Sequence, residues 1–390
     1  MVDYISPYRK GVPDLILFLT VFSLVGTGIA MSYSASAIVA TKVYGDSFFI
    51  LKKQLLWFVV SFAALLIMQE IDYRVYARYT KFLLLISFVM LLLTLIPGLG
   101  HVAKGSSRWI RIGFFGVQPA EFVKIFMVIY LSKVFSSESA SSSTSHSPLM
   151  QLLIPLVILG VMFFLILMQP DFGTAIDLLL VGVAILFVSG FSLMYILFLG
   201  AVSIPAFYLL VYKVEYRRDR IIAFFNPWSD RFGVGYHIIQ SFIAFKKGGL
   251  IGRGLGNGTQ KIMRLPEPHT DFIFAVIAEE TGLFGTFMVI GLFLLLFWRG
   301  MHIALLAVDD YGRLLAIGLT LMIVLQAFIN IGVVSGALPT TGIPLPFISY
   351  GGSSLLSNMM CCGILLNISR YREGLYDNIQ YEDNSDGVTV

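Results

Sequence analysis

Five ionisable side chains crowd the stretch LPEPHTDFIFAVIAEETG, residues 265–282: Glu267, His269, Asp271, Glu279 and Glu280. Carboxylates and imidazoles are groups that move protons, and a carboxylate at the mouth of an apolar run can serve as general base toward a hydroxyl brought to it. Asp271 follows Pro266 and Pro268. There a carboxylate can equally satisfy the first amides of a helix and complement its dipole. Glu279 lies eight residues on, about 80° around and roughly 12 Å deeper in a helix, and Glu280 faces the other way. The two are expected to do different jobs, each in buried pairing with a basic or polar neighbour.

A second constellation is GGLIGRGLGNGTQKIMR, residues 248–264, where Gly252, Gly254, Gly256 and Gly258 alternate beside Arg253, Lys261 and Arg264. Glycine lets backbone N–H groups approach an anion closely, and the cations complement a phosphate or pyrophosphate. An ordinary turn whose basic residues meet lipid headgroups fits the same composition. The pattern matches neither the Rossmann nor the P-loop fingerprint, so no nucleotide is expected. Glu121 and Lys124 in VQPAEFVKIF stand three apart on one helical face and can pair, as a self-neutralising structural ion pair or within a site. Asp171 in QPDFGTA is expected to cap the helix that follows it, while Asp177 lies deeper. Cys361 and Cys362 are neighbours without bridging geometry, and five scattered histidines make no zinc-type set. A divalent cation, Mg or Mn, would be oxygen-ligated and bridged by substrate phosphates.

These charges sit in a chain that is 57% hydrophobic and only 13% charged, with a mean hydropathy of +0.84. That composition fits a membrane protein and excludes an ordinary soluble domain. Apolar runs near the roughly 20 residues needed to cross a hydrocarbon core recur at 13–35, 50–69, 81–98, 119–137, 149–168, 172–189, 192–213, 271–298, 311–335 and 344–369. The fold class is therefore an all-α membrane protein of ten transmembrane helices, one integral domain over 1–390. Lysine and arginine in the short loops favour cytoplasmic termini, with the long segment discounted because long loops translocate largely regardless of charge. The first run is too long for a cleaved signal peptide and reads as a retained span.

Residues 136–147, SSESASSSTSHS, read as a flexible cytoplasmic linker, and 373–390 as a disordered cytoplasmic tail. Residues 214–270 form a long extracytoplasmic loop between spans seven and eight. Its runs IIAFFNPW and YHIIQSFIAF predict short interfacial helices anchored by Trp228, Tyr236 and phenylalanines. A base beside an anion-binding loop, where a lipid-linked substrate would present its headgroup, is a reaction geometry.

Four motifs in order, SRWIRIGFFGVQPAEFVK, QPDFGTA, LPEPHTDFIFAVIAEETGLFG and LPTTGIPLPFISYGGSSLL, resemble the signatures of the SEDS family (shape, elongation, division and sporulation). Those are multispanning polymerases of bacterial peptidoglycan. The resemblance covers residues 13–372 and is nearest to the division and sporulation branch. Thr281 departs from the leucine more frequent among relatives, a matter of packing, and the serine-rich linker lies outside the family pattern.

The resemblance implies a glycosyltransferase of the bacterial cytoplasmic membrane that polymerises lipid II for septal wall synthesis. It implies as partners a class B penicillin-binding protein and other division proteins, and no nucleic acid. The family's essential aspartate falls on Asp271, and its glutamate and lysine fall on Glu121 and Lys124 near the expected cavity. Arg108, His269, Thr270 and Ser349 lie in the same motifs and join the expected substrate-binding set with Arg253, Lys261 and Arg264. An acceptor sugar hydroxyl can displace undecaprenyl pyrophosphate in one inverting step with one base and a means of stabilising leaving-group charge. Two other classes stay open at this point. A transporter of the same lipid-linked precursor would more naturally show inverted repeats around a midplane site, and a noncatalytic division scaffold would leave the buried carboxylates without a purpose.

Overall fold

The computed structural model describes residues 11–96, 100–103, 106–112, 115–136, 148–191, 212–261 and 268–371, with isolated positions between 194 and 208. Arg264, nearly all of the serine-rich linker, the tail 373–390 and most of the expected seventh span lie outside the described residues.

Long apolar helices dominate. The described chain runs through α1 (Leu15–Tyr44), α2 (Phe49–Glu70), the short α3 (Tyr73–Arg78), α4 (Thr80–Leu95), α5 (Pro119–Phe135), α6 (Pro148–Met168) and α7 (Phe172–Val188). It continues through α8 (Glu215–Phe225), α9 (Tyr236–Gly248), α10 (Ile273–Leu305), α11 (Asp310–Val334) and α12 (Gly352–Ser369). Local chemistry sets the ends. Asp14, Asp72, Asp171 and Asp309 each accept a backbone N–H at a helix start, Pro119 opens α5, and Gly45 closes α1 in the left-handed conformation. Among the described residues five helices, α1, α2, α10, α11 and α12, are long and apolar enough to cross a membrane, and Thr80–Leu95, Leu152–Met168 and Phe172–Val188 are shorter apolar helices.

The all-α expectation needs one correction. Between α4 and α5 the chain forms a three-stranded antiparallel sheet, β1 (Gly100–Ala103), β2 (Ser106–Ile112) and β3 (Phe115–Val117), in the order β1-β2-β3. Seven residues are too few for a span, and β2 places Trp109 and Ile110 among polar side chains in a pattern that suits a pleated hairpin. Two spans also shift. The last helix begins at Gly352 rather than near 344, because Gly342, Pro344 and Pro346 keep 335–351 irregular. The helix expected from Asp271 begins at Ile273, its cap position is Phe272, and no acidic residue lies in its first turn.

One end of the bundle is tied together by charge. Asp14 pairs with Arg299. The Tyr73 hydroxyl donates to Asp309 at 2.5 Å and Arg74 pairs with the same carboxylate at 2.9 Å. The Gly11 N–H donates to the Arg370 carbonyl at 2.9 Å, so the described chain ends where it begins. The sheet, α8 and α9 belong to the opposite end.

α10 is broken at Gly282, whose φ of 67° is open to glycine but strained for other residues. Around the break two segments exchange backbone bonds. The Arg253 and Gly254 amides donate to the Glu279 and Glu280 carbonyls at 3.1 and 3.0 Å, and the Leu283 amide donates to Gly249 at 3.0 Å. The glycine-rich loop thus replaces the helical bonds that the break forfeits. A β-carbon on Gly282 would lie 2.4 Å from the Gly252 nitrogen, so two backbones touch there. Gly282→Ala is expected to combine an unfavourable φ with this collision and to destabilise by about 1–3 kcal/mol. An unchanged melting temperature of the purified protein would show that the loop and helix are not locked at this point.

Candidate functional site

At the end bearing the sheet lies a cavity of about 450 Å³. Its walls come from segments far apart in sequence: Arg108 and Trp109 of β2, Gln118 before α5, Asp171 and Thr174 at the start of α7, and Arg220 of α8. Thr270 and Asp271 before α10, and Thr341, Gly342, Pro344, Tyr350, Gly351 and Ser354 around the start of α12, complete it.

Two cations serve the cavity, and both are held by backbone carbonyls. Arg108 donates through Nε to the Gln169 carbonyl at 3.1 Å and through Nη2 to that of Pro170, with Asp171 3.7 Å from Nη1. Arg220 donates to the Thr340 carbonyl at 3.2 Å. Burial pulls the Arg220 guanidinium below its ordinary value, and the nearby Asp271 carboxylate works against that pull. An arginine keeps its charge through such shifts. Asp171 is occupied structurally, accepting the Thr174 N–H at 3.3 Å and the Gln118 amide at 2.8 Å, as its expected capping role requires.

Asp271 is placed by its backbone. Three successive carbonyls of the motif HTD are taken by donors from the far wall: His269 by the Tyr350 amide at 2.8 Å, Thr270 by the Ser349 hydroxyl at 2.6 Å, and Asp271 by the Asn330 amide at 2.8 Å. Gly342, at φ 81°, lies against the carboxylate, and a β-carbon there would be 3.7 Å from Oδ2. Thr270 and Asp271 therefore line the cavity, whereas Ser349 holds the turn from beneath it and His269 packs edge-on against Tyr350.

The other expected residues are placed elsewhere. Glu121 and Lys124 do pair, but beneath the cavity and both 1% exposed, with Asp177 as the nearer carboxylate. Lys124 Nζ stands 3.0 Å from Asp177 and 3.4 Å from Glu121, and donates to the Gln326 side-chain Oε1 at 2.8 Å. Gln326 in turn donates to the Pro344 carbonyl at 3.0 Å and to the Ser354 hydroxyl at 3.4 Å, both cavity residues. Lys261 is 3% exposed and committed to Glu280 at 2.5 Å and to the Ser34 hydroxyl at 2.8 Å. Glu279 accepts from the Thr259 and Gln260 amides at 2.9 Å each. Each glutamate thus has its own polar partners. Arg253 is exposed and outside the cavity lining.

Arg220, Gln118 and Gly342 are cavity residues that motif reading passed over. The mark that sets Arg220 apart from Arg218 is its i, i+3 spacing from the buried Arg217. Gln118 and Gly342 carry no chemistry of their own type that would single them out.

The buried ammonium between two carboxylates generates a prediction. Lys124→Met strands both, and losing one partner of a buried pair costs about 3–5 kcal/mol. Because Asp177 is the nearer partner, adding Asp177→Asn is expected to recover most of that loss, and adding Glu121→Gln less. The check is the melting temperature of the three purified variants; equal recovery by both second changes would contradict the assignment.

Residues 15–374 match the family described as cell cycle protein, the FtsW, RodA and SpoVE family. The chain is 43% identical to a probable peptidoglycan glycosyltransferase FtsW of Geobacter metallireducens, over 93% of this chain and 96% of that one. It is 44% identical to stage V sporulation protein E of Bacillus subtilis, over 93% and 98%. Among solved structures, a chain of a peptidoglycan synthase complex coordinating polymerisation and crosslinking superposes with a TM-score of 0.75 at 25% identity, covering 93% of this chain and 98% of that one. The rod shape determining protein RodA of Thermus thermophilus gives 0.68 at 25% identity, with the same coverage. With a family match over nearly its whole length and relatives this similar, the chain belongs to the FtsW/RodA/SpoVE family of multi-pass membrane proteins.

Proposed function

We propose that the protein is a peptidoglycan glycosyltransferase that polymerises lipid II in the cavity walled by Arg108, Arg220 and Asp271. The observation that carries the reading is the joint presence, in one cavity, of a carboxylate held by its backbone and two guanidiniums held by carbonyls. Relatives named peptidoglycan glycosyltransferase support the reaction class. A carboxylate and two fixed cations are what an inverting displacement at a pyrophosphate-activated anomeric carbon needs.

In the proposed step Asp271 takes the proton of the acceptor sugar 4-hydroxyl as its oxygen attacks the donor's anomeric carbon. The bond from that carbon to the pyrophosphate oxygen breaks, and the electron pair leaves with undecaprenyl pyrophosphate. Arg108 and Arg220 face the developing negative charge, in the role first expected of the glycine-rich loop. That loop is assigned instead to holding α10, since Lys261 is spent on Glu280. Among the described residues no group of three or more His, Cys, Asp or Glu could hold a metal ion. Mg or Mn would accordingly have the substrate's own phosphates as principal ligands.

The same reading has ten spans, both termini in the cytoplasm and the cavity at the outer leaflet. The partner is a class B penicillin-binding protein, a view supported by the likeness to a synthase complex that joins polymerisation to crosslinking.

Asp271→Asn separates a base from a residue that only shapes its turn, because the amide keeps size and hydrogen bonding but not basicity. Turnover of labelled lipid II by the purified complex in detergent is expected to fall about 10²–10⁴-fold, with the melting temperature and partner binding retained. Polymer made at near-normal rate by this variant would remove Asp271 as base. No polymer from the unmodified complex in detergent, together with flipping of lipid II in liposomes, would favour a transporter.

A further inference from the structure

We propose that Asn330, near the C-terminal end of the apolar helix α11, is a positioning residue for Asp271. The inference rests on the reading of Asp271 as base and adds a residue that does not itself line the cavity. Asn330 is 1% exposed. Its single amide nitrogen donates twice, to the Asp271 carbonyl at 2.8 Å and to the Ile343 carbonyl at 2.7 Å.

Those two carbonyls belong to the two things that locate the carboxylate. One is the backbone of Asp271 itself. The other is the segment whose Gly342 lies against the carboxylate, close enough that a β-carbon would stand 3.7 Å from Oδ2. One nitrogen thus sets the distance between the carboxylate's own main chain and the wall it leans on. A carboxamide suits the task because its NH₂ group carries two donors in one plane. The nitrogen must face these carbonyls, since the amide oxygen turned toward them would bring acceptor against acceptor. A hydroxyl would satisfy one carbonyl, and an ammonium would bring a charge into the bundle interior at a larger desolvation cost.

The neighbouring restraints do not make Asn330 redundant. Ser349 and Tyr350 hold the Thr270 and His269 carbonyls, so they fix where the turn begins. Asn330 ties the Asp271 main chain and the Gly342 segment to a common point, one side-chain nitrogen. A displacement of about 1 Å in a reacting group can lower a rate by about 10²-fold while leaving substrate contacts in place. The expected signature is therefore a fall in kcat without a matching rise in KM.

The experiment compares Asn330→Leu, which removes both donors at similar size, and Asn330→Asp, which leaves at most one, with Asp271→Asn and the unmodified protein. Each is purified with its transpeptidase partner, its melting temperature is measured, and kcat and KM for fluorescent lipid II are determined per folded molecule below that temperature. The expected result is a kcat lowered about 10- to 100-fold in both Asn330 variants, with KM within about threefold of the unmodified value. A lowered melting temperature with unchanged kcat per folded molecule would reduce Asn330 to a packing role and overturn the proposal. So would a raised KM at unchanged kcat, or failure of both variants to fold. Normal turnover by Asp271→Asn would instead remove the base on which the inference rests.

Discussion

The Asp271 carboxylate stands on non-helical backbone within an apolar bundle, and non-helical backbone in such surroundings must find partners for its polar groups. The turn at residues 268–272 meets this constraint by giving its carbonyls at 269, 270 and 271 to Tyr350, Ser349 and Asn330. Much of the site's architecture depends on it. The irregular segment 335–351 exists opposite that turn and supplies two of the three donors from its last residues, while α11 supplies the third. Its own amide at Leu345 donates to the Ser349 hydroxyl at 2.9 Å, so the donor of one turn stabilises the other. Where two segments of irregular backbone face one another, each becomes the other's solvent.

Buried charge follows the same rule one layer down. Lys124 is neutralised by Asp177 and Glu121, Lys261 by Glu280, and Arg299 by Asp14, and in each case the partners come close. Isolated, each of these ions would carry a large desolvation penalty. Paired and hydrogen-bonded, they link elements: Lys124 joins α5 to α7 and α11, and Lys261 joins the glycine-rich loop to α10 and, through Ser34, to α1. Such pairs are weak evidence of net stability. Their effect here is geometric, because a buried charge that must meet its partners specifies which helices lie side by side.

Much of this was legible in the chain, and the reasons differ by residue. The apolar runs marked the helices because length and composition suffice for that. The cap at Asp171 was visible from its place before an apolar run, and the pair Glu121–Lys124 from its spacing. What stayed hidden needed the third dimension. Asp177 is 53 residues from Lys124, and no local pattern announces that they meet. The glycine-rich loop reads as an anion cradle, yet its amides serve α10 itself: those of Arg253 and Gly254 go to the carbonyls beside the break at Gly282, and those of Gly256, Thr259 and Gln260 to the carboxylates of Glu280 and Glu279. The sheet at 100–117 was concealed by brevity. Arg220 lay unnoticed in a helix with three arginines, of which burial singles out only some.

The cavity has walls drawn from residue 108 to residue 354, and its closing side is the start of the last helix. A ribosome-bound chain reaches Ser354 after every other residue of the lining has been made. Until then Gln326 lacks the Ser354 hydroxyl, and the turn before Asp271 lacks the donors from Ser349 and Tyr350. A nascent or truncated copy in the membrane therefore has the carboxylate but no finished chamber around it. The chamber around the carboxylate is complete only once the segment through Ser354 is in place.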